Sequence, residues 1–363
     1  MASVTLLADE LVVFISAFAS GDKAGIHAFR FDSKTGALQP LHRTTDIQNP
    51  FFLAVSPDQR FLYAINAEKF GGADDEFVAA YALEGRSGQL KRLNQQSARG
   101  AASCYLDVDA TSRAVMVANY ASGSVASLPV KEDGSLREAV SFMQHSGSGA
   151  DPVRQKGPNA HSIVISPDNR FALAADLGID KILVYRLDAA TGSLSPNGAQ
   201  PFVKMKPGSG PRHITFHPNG RHVYVINELA NTVTCFHYAA DSGSLAELQT
   251  LSTLPAGFTG KSYTADLKIT PDGRFLYGTN RGHDSIASYR IDESGSLTLI
   301  SIDPSLGKGP QNLLVAPDGR WLFCANMPGN SVVVFRIDAA NGRITATGTP
   351  VEMPMPSCIR WIK

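Results

Sequence analysis

Apolar residues fall in short runs along the chain, broken by turn-forming clusters, and one unit of this pattern recurs six times. It is clearest over Thr270–Asn280 (TPDGRFLYGTN) and Ala316–Asn326 (APDGRWLFCAN). Related stretches start at Ser56, Asp109, Ser166 and His217, so successive starts are separated by 53, 57, 51, 53 and 46 residues. Each follows a short apolar run, such as Phe52–Val55 or Ile163–Ile165, and ends on Asn or Asp. Proline presets φ at the first corner and Asp-Gly accepts the bend, so Pro-Asp-Gly-Arg predicts a tight hairpin turn between two strands. A third run follows, as at Thr232–Tyr238 and Val332–Ile337, then a turn such as Asp188–Leu194 and a short outer strand. Four antiparallel strands at a period of about 50 residues predict a propeller blade.

The six turns account for six blades, numbered 2 to 7. The N-terminus supplies three further strands, Leu11–Phe18, Gly25–Phe31 and Leu38–Arg43, and the C-terminus one more, Pro356–Ile362. Together they predict a seventh blade, blade 1, built from both ends. Such closure removes free sheet edges. The expectation is an all-β, seven-bladed β-propeller, one domain over residues 1–363, because the repeat runs without a linker.

Charge and composition narrow the function. There are 33 Lys+Arg against 33 Asp+Glu, so no basic excess points to nucleic acid or to an anionic membrane surface. With 43% hydrophobic and 18% charged residues the chain has a globular composition. Four dispersed cysteines, Cys104, Cys235, Cys324 and Cys358, form no Cys-x-x-Cys and read as reduced, buried thiols; no zinc site is expected. The apolar stretch Leu11–Ala19 is too short to span a bilayer and follows Asp9 and Glu10 where a signal peptide would carry Lys or Arg, so a cytoplasmic location is expected. No nucleophile elbow, His-Glu-x-x-His or P-loop occurs, and no cofactor is expected.

What recurs in every repeat is structural first, so the exceptions carry the functional signal. The Asn or Asp ending each second strand, at 66, 119, 176, 227, 280 and 326, reads as a turn cap. Strand one lines the central channel, and its start lies at the face opposite the Pro-Asp-Gly-Arg turns. Aligned on the turn, the residues at that channel mouth are Phe51, Cys104, His161, Arg212, Ala265, Gln311 and Ser357. Those just after the cap are Ala67, Tyr120, Leu177, Glu228, Arg281 and Met327. His161, Arg212, Glu228 and Arg281 thus converge from three consecutive blades as candidate catalytic residues. His213, His283, Asn159, Tyr120 and Gln311 are candidate substrate contacts beside them. Two arginines select a carboxylate or phosphate, and Glu228 and His161 are the groups able to transfer protons.

Several segments carry a family resemblance: Gly157–Ser162 (GPNAHS), Gly210–Phe216 (GPRHITF), Val225–Leu229 (VINEL) and Thr279–Ile286 (TNRGHDSI), with weaker matches at Ala118–Val125 and Asp176–Asp180. The chain resembles the seven-bladed propeller lactonases, the group of bacterial 6-phosphogluconolactonases and fungal carboxymuconate cyclases. The resemblance implies a site on His161, Arg212, Glu228 and Arg281, and metal-independent hydrolysis of an anionic aldonolactone such as 6-phosphoglucono-1,5-lactone in carbohydrate metabolism. It departs where the family often has a second histidine, here Asn159, and where it often has Pro-Arg, here Pro310-Gln311. The alternatives are a lactone-forming cycloisomerase acting on a dicarboxylate, and a non-catalytic binding propeller. Oligomeric state is left open by the sequence.

Overall fold

The computed structural model describes residues 11–72 and 75–363. Asp9 and Glu10, which weighed against a signal peptide, lie outside the described residues. The described residues form seven antiparallel sheets. The inner strands of blades 1 to 7 are Pro356–Ile362, Leu53–Val55, Ser103–Val108, Ala160–Ile165, Pro211–Phe216, Tyr263–Ile269 and Pro310–Val315. Each contacts the next, and the last returns to the first, so the sheets close into a ring around a channel. Blade 1 joins the two ends of the chain: Leu11–Ala17 lies between Gly25–Phe31 and Pro356–Ile362. Within the apolar stretch Leu11–Ala19, residues Leu11–Ala17 form a fully buried strand. Blade 4 differs from the others in that its outer edge is split, with Ser193–Pro196 and Phe202–Lys204 both pairing with Lys181–Asp188.

The repeated turns have the predicted chemistry. In the Thr270 turn, Thr270 Oγ1 donates to Asp272 Oδ1 at 2.6 Å and accepts from Phe275 N at 3.1 Å. The fourth turn residue adopts positive φ, as Gly273 does at 77°. Arg60, Arg274 and Arg320 sit exposed on this face beside Asp58, Asp272 and Asp318.

The second turn of each blade fixes the spacing between blades. Gly243 has φ 70°, and a Cβ added there would lie 2.5 Å from the Phe171 ring of the preceding blade. Glycine is required both for the left-handed backbone and for this close approach. The aromatic and aliphatic faces of neighbouring blades meet along these seams, as around Phe171, Leu173, Val184, Val223 and Phe236.

The residues ending the second strands do more than cap their own turns. Asn280 Nδ2 donates to Ser285 Oγ at 3.0 Å and also to Thr253 O, in the loop arriving from blade 5, at 2.8 Å. Asn119 likewise reaches Ala98 O at 2.9 Å. At these positions they tie the arriving inter-blade loop to the ring, whereas Asn227 donates only within its own blade, to Thr232 Oγ1 and Thr234 Oγ1. All four cysteines are free thiols and buried. No helix among the described residues is long and apolar enough to cross a membrane.

Candidate active site

At the channel end remote from the repeated turns, the inner strands carry a recurring bulge. In blade 5 Pro211 pairs with Asn227 and His213 with Ile226, leaving Arg212 as the extra residue. His161, Gln311 and Cys104 hold the same place in blades 4, 7 and 3. A bulge releases a residue from the ladder and re-aims its side chain. In blade 5 two consecutive residues consequently join one polar network, with Arg212 Nη1 lying 3.2 Å from His213 Nε2.

Glu228, just after the second strand of blade 5, is the centre of the site. Its Oε2 accepts from Arg212 Nε at 3.0 Å and from Arg281 Nη2 at 2.8 Å. Its Oε1 accepts from Arg154 Nη2 at 2.7 Å. His161 Nε2 lies 3.8 Å from Oε2, beyond hydrogen-bond reach. Arg212 is only 1% exposed, whereas the side chains of Arg281 and Arg154 are 26% and 32% exposed. Arg281 is fixed by Thr264 O at 2.9 Å and by Gln311 Oε1 at 3.3 Å. Arg212 Nη1 also donates to Ala265 O.

Three guanidinium groups around one carboxylate set the protonation states. Burial would raise the Glu228 carboxyl, but Arg281 and Arg212, with His161 and Arg154, overcome it and hold the acid well below its ordinary range. Burial and then Arg212 push His161 well below its ordinary value, against the opposing pull of Glu228, so the imidazole is neutral at neutral pH. Burial and the neighbouring Arg281 lower Arg212 to about 10. Burial drives the Cys104 thiol upward, so it stays protonated although its Sγ lies 3.6 Å from His161 Nδ1.

The predicted substrate contacts fall in different places. Tyr120 joins the cluster: its hydroxyl accepts from Arg154 Nη2 at 3.2 Å and its ring stands edge-on to His161 at 5.1 Å. Gln311 joins through Arg281. Asn159 faces back into the scaffold, donating from Nδ2 to Tyr120 O at 3.0 Å and from its backbone to Asp176 Oδ1 at 2.7 Å. His283 stands apart, bonded to Ser285 Oγ at 2.7 Å and packed on Phe258, and shares no hydrogen bond with the Glu228 cluster.

His213 lies one layer below Arg212. Its Nδ1 is 2.8 Å from Asp266 Oδ1, and burial followed by Arg212 lowers it to about 3. A neutral ring that donates from Nδ1 to Asp266 accepts at Nε2 from Arg212. Asp266 is in turn held by Lys268 Nζ at 2.8 Å, Asn312 Nδ2 at 2.6 Å and the Leu313 amide at 2.9 Å. His213 packs on Tyr105 at 4.9 Å, which packs on Phe52 at 4.3 Å, so a cluster of rings lies beside Arg212. The far side of the mouth is aromatic: Phe51, Phe18 and Phe70 pack together with ring centres 4.9–5.2 Å apart. Phe18 and Phe70 come from loops, outside the positions that the repeat aligns.

Two members of the site escaped sequence reasoning. Arg154 lies in the loop between blades 3 and 4, where the repeat has no register to compare. Asp266 follows Ala265, and the one-residue bulge brings it to the channel although the turn alignment assigns that place to its neighbour.

Comparison with known proteins agrees with this architecture. The profile described as Lactonase, 7-bladed beta-propeller matches residues 12–361. A 6-phosphogluconolactonase of Bacillus subtilis is 35% identical over 351 residues, covering 96% of this chain and 97% of that protein. One of Formosa agariphila is 34% identical over 293 residues, covering 79% and 81%. Among solved structures, the periplasmic gluconolactonase PpgL of Pseudomonas aeruginosa superposes with a TM-score of 0.91 at 33% identity, covering 98% of this chain and 99% of that one. On the profile match and the length of these alignments, the chain belongs to the seven-bladed β-propeller lactonase family.

Proposed function

We propose that the protein hydrolyses a sugar lactone, an anionic aldonolactone of the 6-phosphoglucono-1,5-lactone type, with His161 as the general base. The observation carrying this reading is an imidazole whose Nε2 lies 3.8 Å from a carboxylate already bonded to three arginines, with burial and Arg212 lowering its pKa below the ordinary value. A carboxylate so engaged is a weak base, and its role is to organise the guanidinium groups. A buried neutral imidazole keeps a lone pair available.

In this mechanism Nε2 of His161 takes a proton from water as the water oxygen attacks the lactone carbonyl carbon. The carbonyl oxygen becomes an oxyanion opposite Arg281 and Arg212, whose fixed donors stabilise developing charge without reorganising. Collapse of the tetrahedral species breaks the bond to the ring oxygen. The imidazolium returns its proton to that oxygen, and the new carboxyl group gives its remaining proton to solvent as the open-chain product leaves as a carboxylate. The names of the relatives support the lactone class, and the two arginine-bearing blades support an anionic substrate.

We also propose that no metal takes part. Both oxygens of Glu228 are committed to guanidinium donors, and no group of three or more His, Cys, Asp or Glu among the described residues is placed to hold an ion. The test is acid release from 6-phosphoglucono-1,5-lactone and from glucono-1,5-lactone, followed in weak buffer with a pH indicator and corrected for spontaneous opening. Acid release no faster than that of the His161→Gln variant on either lactone sinks the reading. Formation of a lactone from a muconate-type dicarboxylate instead assigns the reverse, cycloisomerase chemistry.

A further inference from the structure

Arg154 differs from the other two arginines on Glu228. Arg212 and Arg281 rise from the blades, and each is tied to backbone carbonyls. Arg154 comes from the loop over residues 146–159 and reaches across the mouth to blade 5. Among the described residues only its Nη2 is hydrogen-bonded within the protein, to Glu228 Oε1 and Tyr120 Oη. Its Nε and Nη1, three N–H donors in all, make no hydrogen bond to the described residues and lie on a side chain that is 32% exposed.

The backbone beneath this side chain is built, not slack. Asp151 Oδ1 accepts from the amides of Val153 at 2.8 Å and Arg154 at 2.9 Å. The buried Gln155 side chain accepts from Asp151 N at 2.8 Å and donates to Leu177 O at 2.7 Å. The loop thus presents one guanidinium at a fixed root, beside the Tyr263 ring, whose centre is 5.5 Å from its Cζ. Counting charges, three arginines face one carboxylate and a neutral imidazole, which leaves two positive charges at the mouth. That surplus matches a phosphate monoester, which carries about −1.5 to −2 at pH 7.

We propose that Arg154 is the specificity residue of this site: it reads a phosphate carried by the substrate away from the lactone carbonyl, moving from Glu228 Oε1 onto the phosphate as the substrate binds. The inference rests on the lactonase reading above and names the substrate class that reading leaves broad. Once Nη2 leaves Glu228 Oε1, it pairs with Nε or with Nη1 to form the planar fork that suits phosphate. Glu228 keeps Arg212 and Arg281 on Oε2, so the pair that faces the carbonyl is undisturbed when Arg154 departs.

The experiment compares Arg154→Gln with Lys156→Gln, an exposed loop neighbour that removes the same charge without belonging to the site. Steady-state kcat/KM is measured on 6-phosphoglucono-1,5-lactone and on glucono-1,5-lactone, and the ratio of the two is the readout. In Arg154→Gln the ratio should fall about 30- to 100-fold, chiefly through KM, the scale of a lost charge-assisted pair. Lys156→Gln should keep it within about threefold. A ratio within threefold of wild type in Arg154→Gln overturns the proposal, whether both activities fall together or neither does. So does an equal fall in Lys156→Gln. A second arm is independent of turnover: titration calorimetry with 6-phosphogluconate and gluconate on wild type and Arg154→Gln. The phosphate-dependent gain in affinity should shrink at least tenfold in the variant; its absence in wild type, or its persistence in the variant, also overturns the proposal. If wild type opens neither lactone yet keeps that gain and Arg154→Gln loses it, the lactonase reading fails while the phosphate site stands.

Discussion

Replacing Glu228 by glutamine separates a carboxylate that organises arginines from one that takes a proton. The variant keeps the shape but turns one acceptor oxygen into an amide that faces guanidinium donors. Arg281 and Arg154 are about a quarter and a third exposed and can rehydrate, so the cost falls on Arg212, which is 1% exposed. Removing one partner of a buried pair costs about 3–5 kcal/mol. At about 2.1 cal/mol/K of unfolding entropy per residue, that corresponds to a Tm lower by roughly 4–7 °C for a chain of 363 residues. Folding depresses the Glu228 pKa, so its stabilisation is complete above the ordinary value of 4.5 and is lost as pH falls through the folded value. The Tm gap between wild type and Glu228→Gln should therefore be widest near neutrality and narrow in acid. Kinetically, kcat/KM of the wild type should fall on the acid side as His161 protonates, at a pH below 6.5, since its pKa is lowered. Glu228 opposes that lowering, so in Glu228→Gln the acid limb should move to still lower pH while kcat/KM falls about 10²–10³-fold, as for a lost oxyanion donor. The assays are calorimetric melting across pH and pH–rate profiles of wild type, Glu228→Gln and His161→Gln. An unchanged Tm in Glu228→Gln, or an acid limb that vanishes there but survives in His161→Gln, would refute the division of roles.

Arg212→Ala and Arg281→Ala should each lower kcat/KM by about 10²–10³, with lysine restoring only part; Arg60→Ala and Arg274→Ala, on the opposite face, serve as controls, and equal losses on both faces would place the chemistry elsewhere. Activity should survive dialysis against EDTA, and a loss restored by a divalent ion would overturn the metal-free mechanism. Deleting residues 356–363 removes the inner strand of blade 1, including the buried Cys358, Ile359 and Ile362, so insoluble or strongly destabilised protein is expected; a truncated chain melting with the wild type would show the strand to be dispensable. Gly342→Ala should destabilise, because Gly342 has φ 76° and its added Cβ would collide with the Phe275 ring of blade 6; a Tm equal to wild type in a melting curve would count against the seam being set there.

The ring was legible because its determinants are local and repeated. Pro-Asp-Gly-Arg fixes a turn wherever it occurs, and the 46–57 residue spacing leaves room for four strands each time. The joining of Leu11–Ala17 to Pro356–Ile362, though distant in sequence, followed from the same count, since three strands at one end and one at the other complete a blade. The meeting of His161, Arg212, Glu228 and Arg281 was legible for the converse reason. Each breaks the repeat at a position whose place in the ring the repeat defines.

What stayed hidden lies where alternation or register fails. A strand read with period two sends Arg212 and His213 to opposite faces, yet the bulge between Pro211 and His213 brings both into one network. The same one-residue slip makes Asp266, not only Ala265, a channel residue, and it is Asp266 that fixes the His213 ring under Arg212. Arg154 was out of reach for a different reason: a loop between blades has no equivalent in the other blades, so nothing marks its arginine as exceptional. The repeat thus supplies the platform and positions the two arginines nearest Glu228 Oε2. The non-repeating loop supplies the third guanidinium on Oε1, the oxygen on the other side of the same carboxylate. Substrate choice can then change with the loop while the blade-borne arginines, and the chemistry they support, stay where the bulges put them.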